Sequence, residues 1–499
     1  MTVGFRPYAL VAGALWLLLA GLALRPADAL FALPVAEDGW YALTVARNLA
    51  TGHGLTIDGT TWTNGFQPLF TFLEAACFAL AGGDTEGGLR LVFVLAALVH
   101  GAGAMLVASL ARDAWDGDAA ERGARAGLAL VGYLAAIKAY NDFYTGLETG
   151  LQLALYAAVW RLATREWRYL AADRVAMGVL LGALVLTRID AAVFVAFFCA
   201  NELRRARPTF AAAFGRCLVV GTTALAVSAP WWLYNTLVFG HPMPVSGFAQ
   251  QDESLSPERA LAALHALRMV AVPWLFAGAF ETWWTDALRA AAVAGLALLV
   301  WRGRARLRAG AEPGSRDFAV VLACAYAALV SYYAYAFFAD WFYPRYFAPL
   351  SLIAFVYVPV LAVRLARPAA PFAAAGAAGA AAFLLVLAWR GEGVFGASAN
   401  HAQVALVDAF VPPEDVVAAG QSGTLGFFRA NVVNVDGKVN PEALEWRGRM
   451  PEYLDARGIV WFADAPWYVE TYLGRDPGAN GWIRVAEDGG YLLYRRVPR

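Results

Sequence analysis

"YALVAGALWLLLAGLALRPADALFALPVAEDGWYALTVARNLATGHG" runs from Tyr8 to Gly54 and joins two kinds of sequence. Its first part, Tyr8 to about Leu24, is an unbroken apolar run of the length that crosses a bilayer, about 17–25 residues. Its second part opens on two adjacent acids, Glu37 and Asp38, and continues as a helical stretch from Gly39 to Ala50 closed by Gly52. The apolar run resembles a signal peptide with a small-residue site at Ala27–Ala29, but it exceeds the usual apolar core of about 7–15 residues. Many further apolar segments follow it, so it reads as a first membrane span.

The rest of the chain supports that reading. Of 499 residues 60% are hydrophobic, above the roughly 45–50% of soluble domains. The expected fold class is therefore an α-helical polytopic membrane protein. The net charge is zero, and no basic stripe is present, which excludes nucleic acid as a partner. Cys77, Cys199, Cys217 and Cys324 all lie in apolar segments without metal-ligand spacing and read as small buried hydrophobes. Of 39 basic residues only Lys138 and Lys438 are lysines, and Ala and Gly are abundant. That bias points to a GC-rich bacterial genome, and so to a bacterial inner membrane.

Apolar spans are expected near 8–26, 89–111, 126–141, 149–163, 174–189, 191–203, 213–236, 285–301, 318–338, 347–366 and 371–389, about eleven in all. Pro68 to Ala81 is apolar but too short, and suits an interfacial or re-entrant helix. With the N-terminus inside, the arginine-rich connections fall on the cytoplasmic side, as the positive-inside rule requires. Counting 68–81 as a span inverts that pattern. The same assignment places outside the loop 27–88, "AYNDFYTGLETG" (139–150), "TRID" (187–190), the connection 234–253, "FFADWFYPRYF" (337–347) and the C-terminal residues. Nearly every unusual polar residue of the membrane half lies on that one side. Residues 1–389 are expected to form the membrane domain and 390–499 a small extracytoplasmic α/β domain. "DVVAAG", "NVVNVDG", "GIVWFAD" and "GGYLLYRR" read as its strands, and 441–458 as one helix stopped by Gly458.

Asp38 can be read as an N-cap with Gly52 as the helix stop. Capping needs one acid, however, and two adjacent carboxylates repel. An outer acid pair at a helix N-terminus is a candidate general base with a partner that holds a hydroxyl or a metal. Arg188 and Arg345 are outer-end arginines in apolar surroundings. Either a salt bridge (Arg188 with Asp190) and interfacial anchoring among Tyr343 and Tyr346, or phosphate binding, accounts for them. Glu148, at the start of a span, is a dipole-complementing acid or a ligand. Asn64 sits in a Thr63-Asn64-Gly65 turn, and His241 in an outer loop. No ligand set has metal spacing; no cofactor is certain, and a divalent cation remains possible.

The "ED" pair followed by "YALTVARNLATGHG" and "TNGFQPLF" resembles the first outer loop of the polytopic GT-C glycosyltransferases, the group that includes protein mannosyltransferases, aminoarabinose transferases and bacterial arabinofuranosyl- and mannosyltransferases. "GLET" (146–149), "LTRID" (186–190), "PWWLYNTLVFGHPMPVSG" (230–247), "WFYPRYFAP" (341–349) and "GTLGFFRANVVNVDGKVN" (423–440) extend the resemblance over most of the chain. It implies a glycosyltransferase that takes a sugar from a polyprenyl-phosphate donor, with inversion, to a glycan, lipid or protein acceptor at the outer face. It implies Glu37, the leading acid, as the base, with Asp38 beside it; Glu stands where many relatives have Asp. Arg188, Asp190, Glu148, Arg345, His241, Tyr343 and Asn64 are the expected substrate-binding residues. The C-terminal domain is expected to cover the vestibule and select the acceptor rather than carry the chemistry. The competing readings are a membrane transporter or flippase of a lipid-linked or sugar substrate, and a sensor or assembly protein.

Overall fold

A computed structural model describes residues 5–33, 35–136, 145–165, 170–205, 209–251, 256–274, 283–308, 310–337, 342–365, 374–376, 378–383 and 400–497. Helices begin where the sequence supplies a start. Asp84 accepts from Gly87 N at 2.6 Å ahead of the Thr85–Asp113 helix, and Asp118 accepts from Glu121 N at 2.8 Å ahead of Ala119–Leu134. Each satisfies an N–H that the helix leaves unpaired. Pro68 opens the Pro68–Leu80 helix, whose 13 residues match the short apolar helix expected there.

Helices lie at the positions of the expected spans, but the count of eleven is not established. Among the described residues, four segments are long and apolar enough to cross a membrane: Phe5–Leu24, Thr85–Asp113, Phe210–Phe239 and Pro313–Ala336. Ala119–Leu134, Thr149–Ala163, Ala171–Thr187, Ala191–Arg205 and Ser351–Leu365 have 15–17 residues. At 1.5 Å per residue that is about 23–26 Å, short of a hydrocarbon core of about 30 Å. Trp283–Arg308 has 26 residues but is crowded with arginine toward its end. Of the expected last span, most residues lie outside the described ones. The chain is a multi-pass membrane protein.

One apolar core joins these helices, with Trp40, Tyr133, Tyr156, Trp160 and Tyr343 among its fully buried side chains. Some polar groups inside it are paired. Trp160 stacks on Phe318 at 4.9 Å and donates to Ser315 Oγ at 3.1 Å. Buried Arg125 donates to the carbonyls of Arg112, Trp115 and Asp116, which closes the end of the Thr85–Asp113 helix.

The C-terminal region forms a five-stranded sheet: β1 (Val417–Ala419), β2 (Val432–Asn434), β3 (Trp461–Asp464), β4 (Trp482–Asp488) and β5 (Tyr491–Arg496). Its order is β2-β1-β3-β5-β4; β1 is parallel to β2 and β3, and β5 is antiparallel to β3 and β4. The period-two alternation of strands splits its core. Val417, Ala419, Trp461 and Ala463 face one cluster with Leu406 and Val407; Ala418 and Phe462 face another with Tyr453, Leu454, Val469 and Leu473. Three elements depart from expectation. The 441–458 stretch is two helices, Pro441–Glu445 and Met450–Ala456, because Gly448 takes φ +83° between them and Pro451 starts a new turn. Strand β4 and the Gly423–Phe428 helix were not anticipated.

The sheet region docks on the Glu37–Ala50 helix. Trp40 packs on Phe427 at 4.6 Å and Phe428 at 5.2 Å. Tyr41 Oη donates to Gly420 O at 2.9 Å, and Arg47 to Phe427 O at 3.0 Å.

Candidate active site

The acid pair is divided between two surroundings. The helix starts at Glu37 with Ala36 as N-cap, and neither acid caps it. Glu37 turns away from the membrane half. Its carboxylate accepts from Asn400 Nδ2 at 2.6 Å, Thr424 Oγ1 at 2.7 Å, Thr424 N at 3.3 Å and Gly423 N. Burial raises its pKa, and the bonds from Thr424, Gly423 and Asn400 offset part of that rise. Asp38 faces the other way, into a cavity of about 570 Å³.

Two close backbone approaches set this arrangement. A Cβ on Gly39 would lie 2.0 Å from Thr145 O, so only glycine lets the helix start press on the 145–148 turn; Ala36 N also donates to that carbonyl at 3.0 Å. Asp38 and Glu148 thereby line the same cavity. A Cβ on Gly65 would lie 1.9 Å from Lys438 O. The "TNG" turn thus seats the backbone of the C-terminal residue whose side chain enters the cavity.

Charged side chains converge there from helix ends and loops. Arg188 follows the last turn of Ala171–Thr187 in an extended conformation. Its guanidinium donates to Glu148 at 3.0 Å, Asp190 at 2.8 Å and Tyr333 Oη at 3.2 Å, and lies over the Tyr346 ring at 4.4 Å. Tyr333 in turn donates to Asp190 at 2.5 Å. Arg345 is differently placed. Its Nη2 stands 3.8 Å from Glu148, and its buried Nε and Nη1 have no hydrogen-bond partner among the described residues. Lys438 Nζ lies 3.5 Å from Asp38 Oδ1 and 3.6 Å from Asp436 Oδ2. Burial by itself lowers the Lys438 pKa, but Asp38 and Asp436 together outweigh that and hold it above the ordinary lysine value. The opposite wall is apolar and aromatic, with Phe70, Val193, Trp232, Leu329 and Phe337. A volume within the roughly 300–1,000 Å³ of ligand pockets, an apolar side and a few convergent charges describe a small-molecule site.

No protein-family model and no curated protein matches the chain. Solved structures do. The oligosaccharyltransferase of Archaeoglobus fulgidus, solved with zinc and sulfate, superposes with a TM-score of 0.54 at 14% identity, over 97% of this chain and 73% of that one. ArnT of Cupriavidus metallidurans, an aminoarabinose transferase in the apo state, superposes with a TM-score of 0.49 at 15% identity, over 98% of this chain and 97% of that one. The chain shares the fold of the archaeal oligosaccharyltransferase.

Within this fold the expected site residues separate. Asp38, Glu148, Arg188, Asp190 and Arg345 line the cavity. Glu37 does not, because its carboxylate is spent on the C-terminal region. Asn64, fully buried, accepts from Val245 N at 2.9 Å and fixes the Val245–Ala249 turn of helix. His241 Nδ1 pairs with Met243 O at 2.7 Å, and its ring packs on Phe248. Tyr343 donates to Tyr333 O at 2.6 Å and Phe337 O at 2.9 Å, behind the cavity wall. These three support the walls of the cavity instead of lining it. Asp142, a further outer acid, lies outside the described residues.

Lys438, Tyr333, Tyr346 and Gln250 are cavity residues that the sequence reading missed. For Lys438 a signal existed: it is one of two lysines among 39 basic residues. Its presence also changes the role expected for the C-terminal region, which contributes a charge to the cavity and does more than cover it. A divalent metal finds no ready ligand set. The described residues hold no group of three metal-binding side chains, and Asp38, Glu148, Asp190 and Asp436 each face a cationic side chain.

Proposed function

We propose that the protein is a glycosyltransferase that moves a sugar from a polyprenyl-phosphate donor to an acceptor hydroxyl at the outer face of a bacterial inner membrane, with inversion. The observation that carries this is the meeting, in one cavity, of a carboxylate at a helix start, Asp38, with two largely buried cations: Arg345, whose Nε and Nη1 have no hydrogen-bond partner among the described residues, and Lys438, 3.5 Å from that carboxylate. The shared fold agrees with it.

In this reading Asp38 accepts the proton of the acceptor hydroxyl. The acceptor oxygen bonds to the anomeric carbon, and the bond from that carbon to the phosphate oxygen breaks. The polyprenyl phosphate leaves with the electron pair, and Arg345 and Lys438 take up the charge it gains. Arg188 is already saturated by two carboxylates and a phenol, so its part is to hold Glu148 and Asp190 toward the sugar hydroxyls. Glu37 holds the C-terminal region in place, which gives each member of the acid pair its own task. The apolar wall accommodates the first units of the lipid, and a donor with its tail in the bilayer places the scissile bond at this depth.

All six segments assigned to the outer side contribute to the cavity: Asp38, Glu148, Arg188, Met243, Arg345 and Lys438 come one from each. That supports an N-inside, C-outside chain, with residues 390–499 as an extracytoplasmic domain. A transporter or flippase calls for ionisable groups along a path through the bundle; the charges here gather at helix ends. The test is to incubate the purified protein with a panel of polyprenyl-phosphate sugars and follow release of polyprenyl phosphate. Release with one sugar, accelerated by an acceptor, is expected; bidirectional lipid flipping without release supports the transporter instead.

A further inference from the structure

We propose that Lys438 takes the place of a divalent cation between Asp38 and Asp436, so that the cavity handles its phosphate leaving group without a metal ion. The proposal rests on the lipid-phosphate reading above and adds the identity of the cation.

Asp38 and Asp436 come from opposite ends of the chain, yet their carboxylates converge on one point. Lys438 Nζ occupies that point, 3.5 Å from one and 3.6 Å from the other, and the three side chains are only 15%, 18% and 6% exposed for Lys438, Asp38 and Asp436. Two carboxylates and a phosphate oxygen are the donors that a hard divalent cation takes. An ammonium already fixed at their focus repels such an ion and supplies the same charge from the protein. The lysine is held there from behind. Lys438 N donates to Asp436 Oδ1 at 2.8 Å, and its carbonyl lies against Gly65.

The ammonium is also not saturated. Neither carboxylate is within the roughly 2.7–3.2 Å of a strong N–H···O bond, and Nζ carries three donors. It can therefore turn toward an incoming phosphate oxygen while it stays near both acids. Arg345 offers its unpartnered Nε and Nη1 from the neighbouring wall. The Phe342 ring lies 5.1 Å from the Arg345 guanidinium and 5.9 Å from Lys438 Nζ, which places the two cations around one aromatic spacer. Two positive groups held near one ring, with open donors, fit a phosphate that bridges them. The two carboxylates keep the lysine charged at neutral pH.

Electron paramagnetic resonance of Mn²⁺ added to the purified full-length protein tests the substitution without turnover. The wild type is expected to bind no Mn²⁺ in the cavity. Lys438→Ala, checked by its melting temperature and replaced by Lys438→Met where it fails to fold, is expected to bind one Mn²⁺ that a second change, Asp436→Asn, removes. Wild-type binding that Asp38→Asn abolishes overturns the proposal, as does a folded lysine variant that binds none. Donor turnover by the wild type should be unchanged by EDTA; turnover lost on chelation and restored by Mg²⁺ also overturns it. If no polyprenyl-phosphate sugar is turned over at all, the glycosyltransferase reading falls, and the Mn²⁺ measurement still decides the place of the lysine.

Discussion

The Lys438 ammonium in the C-terminal region lies 3.5 Å from the Asp38 carboxylate in the first turn of the Glu37–Ala50 helix. The two parts of the molecule share a charge pair at the wall of one cavity, and the predictions below follow from which residues stand on each side of it.

Asp38→Asn keeps size and hydrogen-bonding capacity but removes the proposed base. Transfer should fall about 10²–10⁴-fold while the melting temperature holds. Glu37→Gln should show the opposite pattern. An amide cannot accept at both ends, so the bonds from Thr424, Gly423 and Asn400 are partly lost, at a cost of about 1–3 kcal/mol for groups left unsatisfied. Equal loss of turnover in both variants, at unchanged stability, rules out this division of the pair.

Arg345→Ala should lower kcat/KM by about ten- to a hundredfold, the worth of one or two charge-assisted hydrogen bonds, with little change in folding. Arg188→Ala strands two buried carboxylates, Glu148 and Asp190, and should cost about 3–5 kcal/mol of stability. Thermal melts and steady-state kinetics on both variants separate an anion-binding arginine from a scaffold arginine.

Gly65→Ala puts a methyl group into the Lys438 carbonyl. The backbone must give way, and the lysine moves from the cavity. Loss of transfer should exceed the loss of stability, because the displaced atom belongs to the site. Gly247→Ala, a cavity-lining position where an added Cβ meets nothing within 4 Å, is the matched control.

Stability of the sheet region should depend on pH through Asp464. Burial raises its pKa from 3.8 to about 7, although Gly420 N, Gln421 N and Ala465 N donate to it. The folded state therefore holds a proton that the unfolded chain has released. That contribution is fully present below about pH 4 and is lost as pH rises through 7. Melting temperature against pH should fall across that window, and Asp464→Asn should flatten the slope.

Sidedness is checked by cysteine labelling in intact cells. Asp488→Cys, exposed in the sheet region, should react with a membrane-impermeant maleimide, and Ala172→Cys, exposed at the start of the Ala171–Thr187 helix, only after permeabilisation. The reverse result inverts the topology.

Much of the cavity could be read from sequence because its residues sit at helix ends, where a polar residue interrupts an apolar run: Glu148 before Thr149–Ala163, Arg188 after Ala171–Thr187. The short 68–80 helix was legible from its length. Which acid of the pair faces inward was not. Adjacent residues on a helix point about 100° apart, and only the docking of the sheet region decides which direction is the cavity. Lys438 was hidden for the same reason, since its turn reaches the site through a tertiary contact with Gly65 that leaves no periodicity. The number of spans is not established because hydropathy marks apolar segments and does not measure them, and several helices have only 15–17 residues.

The dependence of the cavity on Lys438 also orders events in the life of the chain. Synthesis proceeds from the N-terminus, so the apolar helices enter the bilayer before residue 438 leaves the ribosome. A half-made chain, already surrounded by lipid, presents Asp38 and Arg345 but not the lysine that pairs with Asp38. Its acid is uncompensated and its sheet region, which needs β5 between β3 and β4, does not yet exist. In the glycosyltransferase reading proposed above, transfer therefore awaits the pairing of β5, and a chain truncated in transit never gains it.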